Sequence, residues 1–305
     1  MTLHTQSADS TSAAATEKPN ASDIGEALVT LRATAPLTQC ITNEVTTNFV
    51  ANAILAVGGS PAMAADPGEA DDFVRLASAL LINVGTLSTD KRVTIPPTAR
   101  IAHETGTPWV LDPVAVGALQ PRTRIVEFIL DFRPTVIRGN ASEIIALAGG
   151  TSAGKGVDSG DDPVAALPAA LALAARYGSV VAISGATDLI TDGRIVARTP
   201  GGSVLSTRIT GAGCSLGGVT ASFAAAASSP LVGALAASIA YNVAAERAEK
   251  ISQGPGTYQP HFLDELYSLS PADIGDPRRF SLEPVDPASA QAAGVSLVSQ
   301  KGAAE

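Results

Sequence analysis

Leu80-Leu81-Ile82-Asn83-Val84, then a helical stretch over Asp90–Glu104, then Trp109-Val110-Leu111-Asp112-Pro113: this succession decides the fold class. Each outer run is short and almost wholly aliphatic, so a strand built from it must be buried on both faces. The helix-length spacer supplies the crossover that a parallel pair of strands needs.

The alternation continues in both directions. Upstream, Ser22 or Asp23 is expected to cap a helix through Ile24–Ala33, and Pro36–Thr42 reads as a strand. Thr46–Val57 places Phe49, Val50, Ala53, Ile54 and Val57 on one helical face, and Gly58-Gly59 ends it. After an extended Ser60–Met63, Asp66-Pro67-Gly68-Glu69 is expected to open a helix, with Asp66 as cap and Glu69 reaching back. Downstream, Thr123–Asp131 reads as a helix and Thr135–Ile137 as a strand. Asn140-Ala141-Ser142-Glu143 forms a capping box, Val164–Arg176 a helix and Val180–Ile183 a strand. Asp192-Gly193 between apolar residues signals a hairpin within Leu189–Ala197. Two Ala-rich helices, Gly213–Ala227 and Leu231–Lys250, precede a last one at His261–Leu269. The pattern predicts one α/β domain over 24–280, a mainly parallel sheet with helices on both faces. A flexible tail is expected at 1–23 and a loosely ordered one at 281–305.

Charged residues make up only 16% of the 305 and aliphatics abound, which excludes a disordered chain. The net charge of −9 leaves no generic basic footprint for nucleic acid, so phosphate must be met by local amides, a few cations or a metal. Two cysteines, Cys40 and Cys214, cannot make a disulfide framework, and a reducing cytoplasm is the expected compartment. Leu216–Ala245 is the most apolar region, but Ser228-Ser229-Pro230 interrupts it, so a buried helix pair is expected and no membrane partner.

Ligands of open α/β sheets sit beyond the carboxyl ends of the strands, where this sequence places Asn43, Met63, Asn83–Gly85, Asp112, Arg138–Asn140, Ser184-Gly185 and Thr210–Cys214. Thr210-Gly211-Ala212-Gly213-Cys214 precedes a long Ala-rich helix and leaves amides open at the positive end of its dipole, an anion hole suited to a phosphoryl group. A plain Gly-rich helix start is the competing reading. Gly149–Gly156 nearly spells a P-loop, but Gly156 replaces the hydroxyl residue and the segment follows a helix. Asp112 and Glu143 are candidate Mg²⁺ carboxylates, against an Asp-Pro turn and a capping-box acid as alternatives. Arg138 reads as either a phosphate clamp or a surface pair. Cys214 is either a small buried hydrophobe or, at a helix N-terminus, a partly ionised thiolate.

Together these residues resemble the hydroxyethylthiazole kinase family. The resemblance is carried by Gln39–Val45, Ala51–Ala53, Gly58–Ala64 and Asn83–Leu87, then by Leu111–Ala118, Ile137–Ile144, Lys155–Ser159 and Thr210–Cys214, in family order across about residues 25–265. It implies a ribokinase-like fold, a homotrimer with active sites between subunits, and ATP-dependent, Mg²⁺-assisted phosphorylation of the primary alcohol of 4-methyl-5-(2-hydroxyethyl)thiazole in thiamine salvage. By matching motifs, Met63, Gly211 and Asn43 become substrate-binding, Arg138 and Ser184 nucleotide-binding, and Asp112 and Glu143 Mg²⁺-associated. Ala212, Gly213 and Cys214 become the catalytic turn. Gln39 stands where many members have His, Ala115 where Gly is usual, Ile209 where Val is common and Ser184 where Thr is frequent. Whether Cys214 is the base is left open, and a loose transition state needs no strong one. A hydroxymethylpyrimidine kinase, a hydrate dehydratase on the same fold and a non-catalytic metabolite sensor are the competing readings.

Overall fold

A computed structural model describes residues 18–150, 162–286 and 290. Within them the strands are β1 (Leu37–Ile41), β2 (Ser60–Ala62), β3 (Ala79–Asn83), β4 (Trp109–Asp112), β5 (Val136–Asn140), β6 (Val180–Ser184), β7 (Thr187–Thr191), β8 (Ile195–Pro200) and β9 (Ser281–Pro284). The first helices are α1 (Ala21–Thr34), α2 (Thr47–Val57), α3 (Ala70–Phe73), α4 (Thr89–Thr105), α5 (Gln120–Ile129) and α6 (Ala141–Leu147). They are followed by α7 (Leu167–Tyr177), α8 (Ala212–Ala226), α9 (Pro230–Ile251), α10 (Pro255–Ser268) and α11 (Pro271–Ile274).

One sheet runs in the order β2-β1-β3-β4-β5-β6-β7-β8-β9. From β2 to β6 every pairing is parallel, and β7, β8 and β9 close the far edge antiparallel. The strand alternation sorts the core into two layers. Cys40, Leu81, Val110 and Val136 face α1, α2, α8, α9 and α10. Ile41, Leu80, Ile82, Leu111 and Ile137 face the layer of α3 to α7. Nearly every apolar residue of β3 and β4 is fully buried, as the opening runs require.

Helix α8 lies deepest. Its Gly217 and Gly218 let it approach closely: a Cβ would come within 3.0 Å of Leu81 at the first and 2.9 Å of Ile54 at the second. That approach brings the head of α8 down onto the carboxyl ends of β3 to β6.

Several boundaries differ from the sequence reading. Asn20, and neither Ser22 nor Asp23, caps α1, accepting both the Ser22 and Asp23 amides and forming a box with Asp23, so ordered structure begins before residue 24. Asp66 opens a turn, its carboxylate accepting the Gly68 amide and its carbonyl the Glu69 and Ala70 amides, while α3 itself starts at Ala70 with Glu69 as an uncapped N-cap. The segment from Val164 starts as a 3₁₀ turn over Pro163–Ala166 before α7. The polar chain after 280, expected to be loose, opens with β9, whose backbone pairs with β8 from Arg198 to Ile195, and Val285 and Ala290 are buried against α7 residues. An exposed strand edge recruits partners regardless of polarity, since its unmet groups are main-chain. The P-loop-like stretch beyond Gly150, the Lys155–Ser159 block and most of both tails lie outside the described residues.

Candidate active site

Six parallel strands, β1 to β6, end on one side of the sheet, and their last residues form the floor of the site. β5 ends in Arg138-Gly139-Asn140, and Arg138 is held almost completely inside, 8% exposed. Its Nη1 donates to the Gly213 carbonyl at 2.8 Å and its Nη2 to the Ser184 hydroxyl at 2.8 Å. The Asp112 carboxylate lies 3.6 Å from Nη1, so the guanidinium is held from β4, β6 and α8 at once. Arg138 is therefore no surface pair. Its Nε, buried, has no acceptor among the described residues.

Above the guanidinium stands the head of α8. Gly211 is its N-cap at φ +97°, a left-handed conformation that favours glycine, and a Cβ there would also sit 2.9 Å from Thr46. Gly211 carries no capping side chain, and the first α8 amide to bond back is that of Ser215, to the Gly211 carbonyl at 2.8 Å. The amides of Ala212, Gly213 and Cys214 are therefore open at the positive end of a four-turn helix. Open amides beside a buried arginine make an anion site.

Cys214 does not match a partly ionised thiolate. Burial, and then the Asp112 carboxylate, push its thiol up from the ordinary range, outweighing the hydrogen bonds and the Arg138 charge that act the other way. At neutral pH it is a thiol. Cys40, wholly buried, is pushed up to about 12 by the same desolvation.

Asp112 is 2% exposed and accepts the Asn83 side-chain amide at 2.7 Å on Oδ2. Burial raises its pKa to about 7 against the pull of Arg138, and the Glu143 charge raises it further. Two carboxylates that repel each other next to an anion site invite a cation. The fit is good for Asp112 and indirect for Glu143. Glu143 Oε2 accepts the Asn140 amide at 2.9 Å, which makes the capping box of the sequence reading real, and Oε1 accepts the Ala115 amide at 3.0 Å, so both oxygens are occupied. Among the described residues no group of three or more His, Cys, Asp or Glu is arranged to hold a metal alone. That pattern suits an ion that brings most of its own ligands, as Mg²⁺ does with water and phosphate.

Met63 sits apart from this corner. It lines a cleft of about 330 Å³ with Cys40, Thr42, Glu44, Thr47 and Lys91. Neither Asn43 nor Gly211 is in that lining. Asn43 accepts the Thr86 hydroxyl at 2.6 Å and the Val45 amide at 3.1 Å, which fixes the start of the segment leading into α2. Gly211 packs on Thr46, next to the lining residue Thr47. The three expected substrate residues thus flank one segment, 43–47, without sharing a wall.

Sequence reasoning missed Lys91. Its ammonium is buried on α4, 3.5 Å from Glu44 and 3.2 Å from the Thr86 carbonyl. Burial lowers its pKa and Glu44 resists. Partners 47 positions apart leave no local signal. Thr86 itself is a β-branched residue at φ +46°, strained for its type, and it holds Asn43 by its hydroxyl and Lys91 by its carbonyl. Asp188 was also missed: it accepts the Gly185 amide at 2.9 Å behind Ser184.

With this geometry in hand, four likenesses are informative. The family model for the hydroxyethylthiazole kinase family matches residues 28–272. Hydroxyethylthiazole kinase of Leptospira interrogans serovar Lai is 49% identical over 250 residues, covering 82% of this chain and 94% of that one. The solved structure of the hydroxyethylthiazole kinase protein from Pyrococcus horikoshii OT3 has a TM-score of 0.77 at 34% identity, covering 86% of this chain and 99% of that one. A ribokinase-like superfamily protein from Enterococcus faecalis V583, at 11% identity and a TM-score of 0.55 over 84% of this chain and 91% of its own, shares the fold alone. A ribokinase-like α/β chain with an uncapped glycine turn over a buried arginine, this protein belongs to the hydroxyethylthiazole kinase family.

Proposed function

We propose that the chain transfers the γ-phosphoryl group of ATP to the primary hydroxyl of 4-methyl-5-(2-hydroxyethyl)thiazole, a salvage step towards thiamine. The observation that carries the reading is the set of open amides at Ala212–Cys214 backed by Arg138, beside a cleft wide enough for a small heterocycle. Phosphoryl transfer asks for in-line positioning and charge neutralisation more than for covalent help. The amides meet charge on the moving group, and Arg138, fixed by Gly213 and Ser184, meets the phosphates without reorganising. Met63, with Cys40 and Ala65, gives the ring its apolar contact in a cleft otherwise lined by polar and charged side chains.

Mg²⁺ carried with the triphosphate would supply further neutralisation; Asp112 would be the residue to hold it, with Glu143 contributing its charge. The Cys214 thiol, kept protonated, fills space at the turn, and the alcohol loses its proton late to solvent or phosphate. Cys214→Ala is accordingly expected to retain turnover within about tenfold of wild type, since general-base loss costs 10²–10⁴-fold where a base matters; loss of 10³-fold in a folded variant contradicts this.

The same reading extends to assembly and compartment. A homotrimer with active sites between subunits is part of the same proposal, and the exposed Val45 on the segment that borders the cleft is a residue such a contact would cover. No helix among the described residues is long and apolar enough to cross a membrane, and two free cysteines fit a reducing cytoplasm. Sedimentation equilibrium reads the subunit number directly. For the activity, ADP release is measured with Mg-ATP and a panel of alcohols that includes the thiazole and hydroxymethylpyrimidine. Turnover of the thiazole alcohol supports the reading. Turnover of the pyrimidine alone overturns it, as does nucleotide binding without ADP.

A further inference from the structure

We infer that Gln39 is a positioning residue for the acceptor cleft, setting the wall that carries Met63; this rests on the cleft being the alcohol's site. Gln39 lies in the middle of β1, paired to Ala62 of β2 on one side and Leu80 of β3 on the other, with no exposed surface. Its side chain lines no part of the cleft. Instead, its Nε2 donates to the Ala64 carbonyl at 2.9 Å and to the Ala70 carbonyl at 3.1 Å. Those carbonyls sit at the two ends of the connection between β2 and α3, and that connection supplies Ala65, Asp66 and Glu69 to the cleft directly after Met63.

The connection has few other ties. Asp66 braces it internally, through its carboxylate to the Gly68 amide at 2.7 Å and its carbonyl to the Glu69 and Ala70 amides. The link from both ends to the sheet is one amide nitrogen with both hydrogens used. The cost is visible on the same side chain: Oε1 is buried with no partner among the described residues. An aliphatic residue of similar size removes that orphan oxygen but cuts both ties, stranding the Ala64 carbonyl and leaving the Ala70 carbonyl only the Val74 amide. A side chain that leaves one of its own groups unmet to tie two carbonyls together is acting as a clamp.

The test compares Gln39→Leu, Gln39→His and wild type by calorimetry, titrating each with 4-methyl-5-(2-hydroxyethyl)thiazole and separately with a non-hydrolysable Mg-ATP analogue. Gln39→Leu is expected to weaken the alcohol about tenfold while nucleotide affinity stays within about twofold, and Gln39→His, whose ring N–H still donates, is expected to recover most of the loss. Unchanged alcohol affinity in folded Gln39→Leu overturns the inference, and so does an equal loss for both ligands. Should Gln39→Leu fail to fold, Gln39→Asn, which keeps the amide but shortens its reach, is read by the same split. Binding without turnover in wild type overturns the proposed activity while still reading the clamp; wild type that does not bind the alcohol overturns both.

Discussion

At the head of α8 the groups proposed to meet phosphate are main-chain amides and one guanidinium fixed from three elements, whereas the cleft beside Met63 is walled by side chains from three separate segments. The first region has almost no freedom. Its amides are set by a helix and a left-handed glycine, and its arginine is buried among partners. The second can change shape with any one of its walls. A phosphate is the same in every reaction of this kind and rewards rigidity, while the acceptor alcohol is what distinguishes one such enzyme from another. Rigid backbone serves the shared chemistry and side chains serve the choice of substrate.

The sharpest way to break this contrast is at Arg138. Arg138→Ala is expected to lower kcat/KM by about 10³-fold, the lower end of what a transition-state arginine supplies. Arg138→Lys should recover only part, because a point charge cannot hold Gly213 and Ser184 together. A loss under tenfold in either folded variant, read by the coupled assay with circular dichroism as control, would place the phosphates elsewhere. At the cleft the expected effect is smaller. Met63→Ala should raise KM for the alcohol about tenfold, consistent with losing part of a buried Met side chain. KM for ATP should stay within about twofold, and equal shifts in both would erase the distinction between the regions.

Asp112 gives a prediction in stability rather than rate. Its folded pKa of about 7 lies above the ordinary carboxylate value, so the folded protein binds this proton more tightly than the unfolded chain. The group's contribution is full below about pH 4 and is lost as pH rises to about 7. In metal-free protein the melting temperature of Asp112→Asn minus that of wild type should therefore increase between pH 5 and pH 8. A flat difference would mean that Asp112 ionises normally.

The smallest effect is expected at Ala115, which stands at φ +60° and donates its amide to Glu143. Ala115→Gly relieves left-handed strain of about 1–2 kcal/mol and loses about 0.4–1 in chain entropy. A net gain near 1 kcal/mol should raise the melting temperature by roughly 2–4 °C. Unchanged or lowered melting would show no strain at that turn.

The two regions were unequally legible in the sequence. The glycine turn could be read because its information is local: small residues, then a long Ala-rich helix. The parallel sheet could be read from runs such as Leu80–Val84, where burial on both faces leaves no room for a polar residue. Gly213, Arg138, Ser184 and Asp112 meet because parallel strands end together, so naming strand ends named them. Lys91 and Glu44 could not be found this way, since a buried lysine on one helix paired to an exposed acid on a distant turn leaves no spacing to detect. The clamp at Gln39 was visible only as an unusual residue type. β9 was missed because an edge strand on polar sequence is dictated by its neighbour's unpaired backbone. Asp66 misled for a related reason: Asp-Pro-Gly-Glu satisfies a turn as readily as a helix cap.

The most direct measurement is a crystal structure with Mg²⁺, a β,γ-non-hydrolysable ATP analogue and the thiazole alcohol. The expected result has a terminal phosphate oxygen within hydrogen-bond distance of the Ala212–Cys214 amides and of Arg138, with the ring against Met63. A terminal phosphate bound away from the head of α8, or a ring outside the cleft, would contradict the account.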